Sequence, residues 1–102
     1  MSKVSEILKT AREERKLIVR KVASELDIDQ SLISKFEKGE RKPTKEQLIK
    51  LADFYYLPIQ ELLIDWFSDK IIYDLKDVDF ANDILLVAEE KIKYQKAKHD
   101  AK

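Results

Sequence analysis

The sequence predicts an all-α protein, and three observations carry that prediction. Only one glycine and two prolines occur in 102 residues, too few turn residues for a sheet. Long stretches of Leu, Ile, Lys, Glu and Ala run without a breaker, which suits helices. Apolar residues also recur at the three-and-four spacing of a helical face. Hydrophobic content of 44% argues against wholesale disorder.

The elements follow in chain order. From Lys3 to Lys16, Val4, Ile7, Leu8 and Ala11 line one face of a first helix. A second, Ile18–Leu26, carries Val19, Val22, Ala23 and Leu26. Asp27-Ile28-Asp29 interrupts it, and Asp29 is suited to cap a third helix, Gln30–Phe36, that ends at Gly39. Thr44 and Gln47 have the spacing of a capping box for a fourth helix bearing Leu48, Ile49, Leu51, Ala52 and Tyr55. Pro58 is expected to end that helix and open a fifth, with Ile59, Leu62, Leu63 and Trp66 inward. Residues 67–75 read as helix or, over Ile71–Leu75, as a short strand; helix is preferred because no partner strand is visible. Asp77-Val78-Asp79 offers a cap for a last helix, Phe80 to about Lys98, lined by Ile84, Leu85, Val87, Ala88 and Ile92. The last few residues are expected to fray.

Composition bounds the chemistry. Without cysteine there is no disulfide framework, thiolate zinc site or cysteine nucleophile, which fits a reducing cytoplasm. No apolar run approaches a membrane span, and the N-terminus lacks the apolar block of a signal peptide. The single histidine, His99, falls in the tail. Asp77, Asp79 and Asp83 lack the central glycine and closing glutamate of a calcium loop and read as helix-start charges. There is neither a glycine-rich phosphate loop nor a serine elbow. No catalytic residue, metal site or cofactor is expected, and the chain reads as non-enzymatic.

Two short helices joined by a tight connection, between a longer first helix and a capped fourth, point elsewhere. Leu17, Val22-Ala23, Leu26, Ile28, Ile33-Ser34, Phe36-Glu37, Gly39, Pro43, Leu48, Leu51-Ala52 and Leu62-Leu63 stand in a joint order that resembles the Xre/Cro-type helix-turn-helix family of bacterial and phage repressors. The resemblance covers roughly Val4 to Trp66 and implies a five-helix, lambda-repressor-like domain over residues 1–66. Residues 67–102 would then be a C-terminal helical extension serving as a dimerisation element.

A helix of two to three turns fits the major groove, where base edges carry a full donor and acceptor code. The exposed face of the third helix offers Gln30, Ser31, Ser34 and Lys35. Gln pairs bidentately with adenine, Lys reaches guanine, and Ser serves either. By resemblance the family's base-reading positions fall on Gln30, Ser31 and Lys35. Leu32 has two readings, contact with a thymine methyl or core packing. Lys38, Arg41, Lys42 and Lys45 flank the reading helix as phosphate contacts. Two departures from the family stand at the start of the second helix, where Ile18 and Val19 replace a capping Ser or Thr and a Gln. Arg20 or Lys21 is the substitute phosphate contact. Asp27 stands where the family's turn often has glycine. The resemblance also implies an ion pair between Arg12 and Glu37, tying the first helix to the third.

Operators with half-sites one helical turn apart demand a two-fold dimer. Leu63, Trp66, Phe67, Ile71, Ile84, Ala88 and Ile92 are its expected contacts, with packing inside one chain the alternative. The chain's size resembles controller proteins of restriction–modification systems; an antitoxin, a phage-type repressor, or an interaction module that uses the fold without DNA are the alternatives. The implied partners are an operator in double-stranded DNA, a second copy and RNA polymerase, with no membrane, in a bacterial cytoplasm and on the nucleoid. The formal net charge is zero. Residues 9–21 nevertheless hold six Lys or Arg against two Asp or Glu, and residues 30–50 six against three. Acidic groups elsewhere should suppress non-specific binding, which arises mostly from phosphate charge.

Overall fold

Helix termination organises the chain. In the computed structural model, which describes residues 3–100, six helices follow one another: α1 Lys3–Glu14, α2 Val19–Leu26, α3 Gln30–Lys38, α4 Lys45–Tyr55, α5 Ile59–Asp74 and α6 Ala81–Asp100. No strand occurs among the described residues, so Ile71–Leu75 is not one; α5 runs through it as far as Asp74. Each of the first four helices stops at a residue with positive φ: Lys16 (56°), Asp27 (53°), Gly39 (74°) and Tyr56 (55°). The next amide then reaches back across the last turn, as Leu17 N–H does to Arg12 O (3.2 Å), Ile28 to Ala23 (3.1 Å), Glu40 to Lys35 (3.0 Å) and Leu57 to Ala52 (2.8 Å). This closure satisfies carbonyls that a helix end otherwise leaves bare.

Several expected boundaries move for this reason. The first helix ends before Lys16, and Tyr56, not Pro58, ends the fourth. Ile18 is extended at the start of α2 and makes no side-chain cap. Asp29 Oδ1 accepts from the Ser31 amide at 2.7 Å and caps α3, while Thr44 and Gln47 form the reciprocal capping box of α4 (3.1 and 2.9 Å). Before α6 the Ile84 amide donates to Phe80 O at 3.2 Å, so Phe80 holds the cap position. Asp77 and Asp79 precede it and add charge near the positive helix end. His99 and Asp100 are helical; frayed ends were expected for the last few residues, of which 101 and 102 lie outside the described part.

The chain divides into two units, with the boundary between Asp69 and Lys70 inside α5. In the first, α1 and α2 each pack on α3 and α4. Val4, Leu8 and Ala11 meet Val22, Ile28, Ile33, Phe36, Leu48, Leu51, Tyr55 and Leu62 in one buried cluster. Full burial of side chains of this size contributes roughly 1.5–3 kcal/mol each, enough that the core, not helix propensity, holds the short α2 and α3. Lys50 Nζ donates to Leu26 O at 3.3 Å, setting a cation on the carbonyl end of α2. In the second unit only Leu75, Val78, Ala81 and Ile84 are half-buried, and every α6 residue from Leu85 to Asp100 is exposed. No described helix is long and apolar enough to cross a membrane.

Left-handed backbone costs a non-glycine residue about 1–2 kcal/mol. Lys16→Gly, at an exposed site, should therefore raise unfolding free energy by about 0.5–1 kcal/mol in urea titration, and Gly39→Ala should lower it by about 1 kcal/mol. At Gly39 an added Cβ meets only Ser5 Oγ, at an ordinary 3.5 Å, so the loss there is one of backbone.

Candidate nucleic-acid interface

The residues expected to read bases lie on the outer side of α3. Ile33 and Phe36 are each 1% exposed and bolt the inner side into the core. Gln30, Ser31 and Lys35 face outward, Ser34 is half-buried beside them, and with Asp29, Lys38 and Glu40 they line one shallow depression. Leu32 is half-buried against the core, which favours packing over base contact. Nine residues of helix rise about 13–14 Å, matched to a major groove about 12 Å wide.

Each polar group on that row carries its own constraint. The Ser31 hydroxyl donates to Asp29 Oδ1 at 2.6 Å, so its proton is used inside the cap and only its lone pairs face outward. Asp29, accepting from both the hydroxyl and the amide of Ser31, is held below the usual carboxylate range and stays ionised at neutral pH. Gln30 and Lys35 have no such side-chain bond among the described residues.

Arg12 fixes the helix from behind. Its Nε and Nη2 donate to the two Glu37 carboxylate oxygens at 2.8 and 2.9 Å, and Nη1 donates to Leu17 O at 2.8 Å. One guanidinium thus joins α1, α3 and the loop entering α2. The Arg12 and Glu37 side chains are only 16% and 8% exposed. The Glu37 hydrogen bond raises the Arg12 pKa further above its already high value. Tyr55 lies in the field of this pair: burial first, then the Glu37 charge, pushes its phenol up to about 12. Its hydroxyl is buried with no hydrogen-bond partner among the described residues.

The cations expected at phosphates fall into two sets. Lys42 Nζ donates to Trp66 O at 2.9 Å and sits 4.3 Å over the Trp66 ring, whose Nε1 donates to Pro43 O at 2.9 Å. Lys21 pairs with Glu25 at 3.0 Å, and Lys45 lies 5.8 Å above the Phe67 ring. Arg20, Lys38 and Arg41 are exposed, and their side chains make no hydrogen bond or ion pair with the described residues. Sequence reasoning missed the Lys42–Trp66–Pro43 lock. It also missed Arg15, which donates to Tyr55 O at 2.9 Å and stacks 5.0 Å over Tyr56. No local signal marks either, since the partners stand 23 to 41 residues apart. Of the residues expected at a subunit interface, Leu63 and Trp66 pack against the first unit's core. Phe67, Ile71, Ala88 and Ile92 are exposed, and Ile84 is half-buried. Asp77, Asp79 and Asp83 do not gather into a group that could hold a metal ion.

Removing one partner of a mostly buried pair strands the other charge. Glu37→Ala should lower stability by about 2–4 kcal/mol, read by urea titration. It should also weaken DNA binding at temperatures where the variant is still folded; unchanged affinity there would show that the pair does not orient α3. The raised Tyr55 pKa means the folded chain keeps this proton where the unfolded chain, near 10, has lost it. Stability should therefore be full below about pH 10 and fall as pH climbs toward 12. Tyr55→Phe should flatten that alkaline decline in denaturation curves.

Similarity to known proteins agrees with this geometry. The pattern of the helix-turn-helix family matches residues 8–62. Over 68 residues the chain is 34% identical to the cryptic phage CTXphi transcriptional repressor RstR of Vibrio cholerae serotype O1; the alignment covers 67% of this chain and 61% of that protein. The chain thus spans about three fifths of this relative's length. No solved structure matches it.

Proposed function

The chain belongs to the helix-turn-helix family, and from that premise we propose that it is a phage-type repressor that binds a palindromic operator as a homodimer. Its family and its relative support a DNA-binding transcriptional regulator; the operator's form, the dimer and the repressor role are the finer proposal. One observation carries it: a row of polar side chains, Gln30, Ser31 and Lys35 exposed and Ser34 half-buried beside them, on a helix whose other side is locked into the core. The phage type is preferred to a restriction–modification controller because the relative is described as a phage repressor.

Gln30 pairs with adenine and Lys35 with guanine O6 and N7. Ser31, its proton held by Asp29, accepts from a base amino group. Arg20, Lys38 and Arg41 anchor phosphates directly. Lys21, Lys42 and Lys45 first give up partners within the chain, so each contributes less. The dimer forms through Phe67, Ile71, Ile84, Ala88 and Ile92, and repression follows from excluding RNA polymerase at the occupied operator.

Fluorescence anisotropy with DNA from upstream of the gene, across a salt series, tests this reading. Affinity should fall steeply with salt; binding indifferent to salt and to sequence would favour an interaction module that does not read DNA. Lys35→Ala should relax preference at one base pair by about 1–3 kcal/mol. Arg41→Ala should weaken all sequences alike and lower the salt slope by about one.

A further inference from the structure

The cap of α3 is a carboxylate that belongs to the outward row. Asp29 is exposed and shares the depression on the outer side of α3 with Gln30, Ser31 and Lys35. Its Oδ1 accepts from both the amide (2.7 Å) and the hydroxyl (2.6 Å) of Ser31. Neither bond uses Oδ2, and the ion pairs among the described residues leave this carboxylate out. The Ser31 hydroxyl first, then the Ser31 amide, favours its charged form. The start of the row therefore presents acceptors and a negative charge, Oδ2 of Asp29 beside the lone pairs of Ser31.

Such a group has few favourable partners on DNA. Phosphates repel it, and so do the acceptors that guanine (O6, N7) and thymine (O4) present in the major groove. Adenine sets its N7 acceptor beside the N6 amino group. Cytosine offers an amino donor, N4, with no acceptor on the same edge. In a groove-bound recognition helix the N-terminal residues contact base edges, and the Ser31 hydroxyl, bonded to Asp29, carries the carboxylate there with it. A charge dehydrated against anything but a donor is costly, so the carboxylate rejects other bases as well as selecting one.

We propose that Asp29 is a specificity-determining residue whose Oδ2 accepts from the N4 amino group of a cytosine in the bound DNA. This rests on the DNA-reading function above and names one base which that function reads. One side chain then has two duties: Oδ1 holds the start of α3, and Oδ2 meets the base.

In vitro selection from a random duplex pool, with the full chain and with its Asp29→Asn and Asp29→Ser variants, tests the assignment. Asn and Ser cap helices about as well as Asp, so both variants keep the start of α3. In Asp29→Asn the single carbonyl oxygen serves the cap and the amide NH2 is left as a donor. The unchanged chain should enrich an invariant cytosine, Asp29→Asn should exchange it for guanine or thymine, and Asp29→Ser should leave that position degenerate. The other selected positions should stay the same. A cytosine kept by both variants, or a selected sequence without an invariant cytosine, overturns the proposal and leaves DNA reading intact; no enrichment by the unchanged chain overturns both. Asp29→Ser should bind random DNA more tightly, because an acid has left the groove; equal losses on random and selected DNA mark a cap alone and overturn the proposal. The unchanged chain supplies a further measurement. N4-methylation of the selected cytosine replaces its major-groove amino hydrogen while base pairing remains. The Kd by fluorescence anisotropy should rise at least about tenfold, and an unchanged Kd overturns the proposal.

Discussion

The Arg12 guanidinium is the constraint on which the placement of α3 depends. Its three hydrogen bonds run from α1 to α3 and to the loop between α1 and α2, all within 2.9 Å. A mostly buried ion pair of this kind is poor at adding net stability, because both charges leave water to form it. Its value lies in geometry. A planar fork against a carboxylate tolerates little rotation, so α3 cannot roll about its axis without breaking two bonds. Base recognition needs that rigidity, since a reading helix rotated by a fraction of a turn presents different side chains to the groove.

The same economy governs the cations. A count of lysines and arginines near α3 suggests a continuous phosphate-binding rim. The structure breaks that rim into exposed groups, Arg20, Lys38 and Arg41, and groups already in use, Lys21 and Lys42. Lys42 instead clamps Trp66, whose indole holds Pro43, so the loop leaving α3 is fixed to α5. Under the proposed function, a chain of zero net charge with few uncommitted anchors would have a small sequence-independent attraction to DNA, and discrimination would fall on the outward row of α3 and on the doubled contacts of the proposed dimer.

The two units differ in what they bury. The first encloses a core of apolar side chains and leaves a polar row outside. In the second, α6 holds no buried residue. Within this chain α6 leaves Leu85, Leu86, Val87 and Ile92 exposed.

Much of this was legible in the residues. Apolar spacing placed Val4, Leu8, Ile33, Phe36, Leu48 and Leu51 in the core, and Asp29 and Thr44 announced the caps that the structure contains. The outward row from Gln30 to Lys35 followed from the same periodicity. Helix ends were harder to read: a lone glycine signals α3's terminus, whereas Lys16 and Tyr56 adopt left-handed backbone without any sequence mark. What the sequence alone determined was which residues turn inward and which outward on each helix, because that depends on neighbours three and four positions away. Only the tertiary structure decided which cations stay uncommitted and that Trp66 serves the core. Those outcomes hang on partners 23 or more residues distant, Trp66 with Pro43 and Lys42 with Trp66, that only the assembled helices bring within 3 Å.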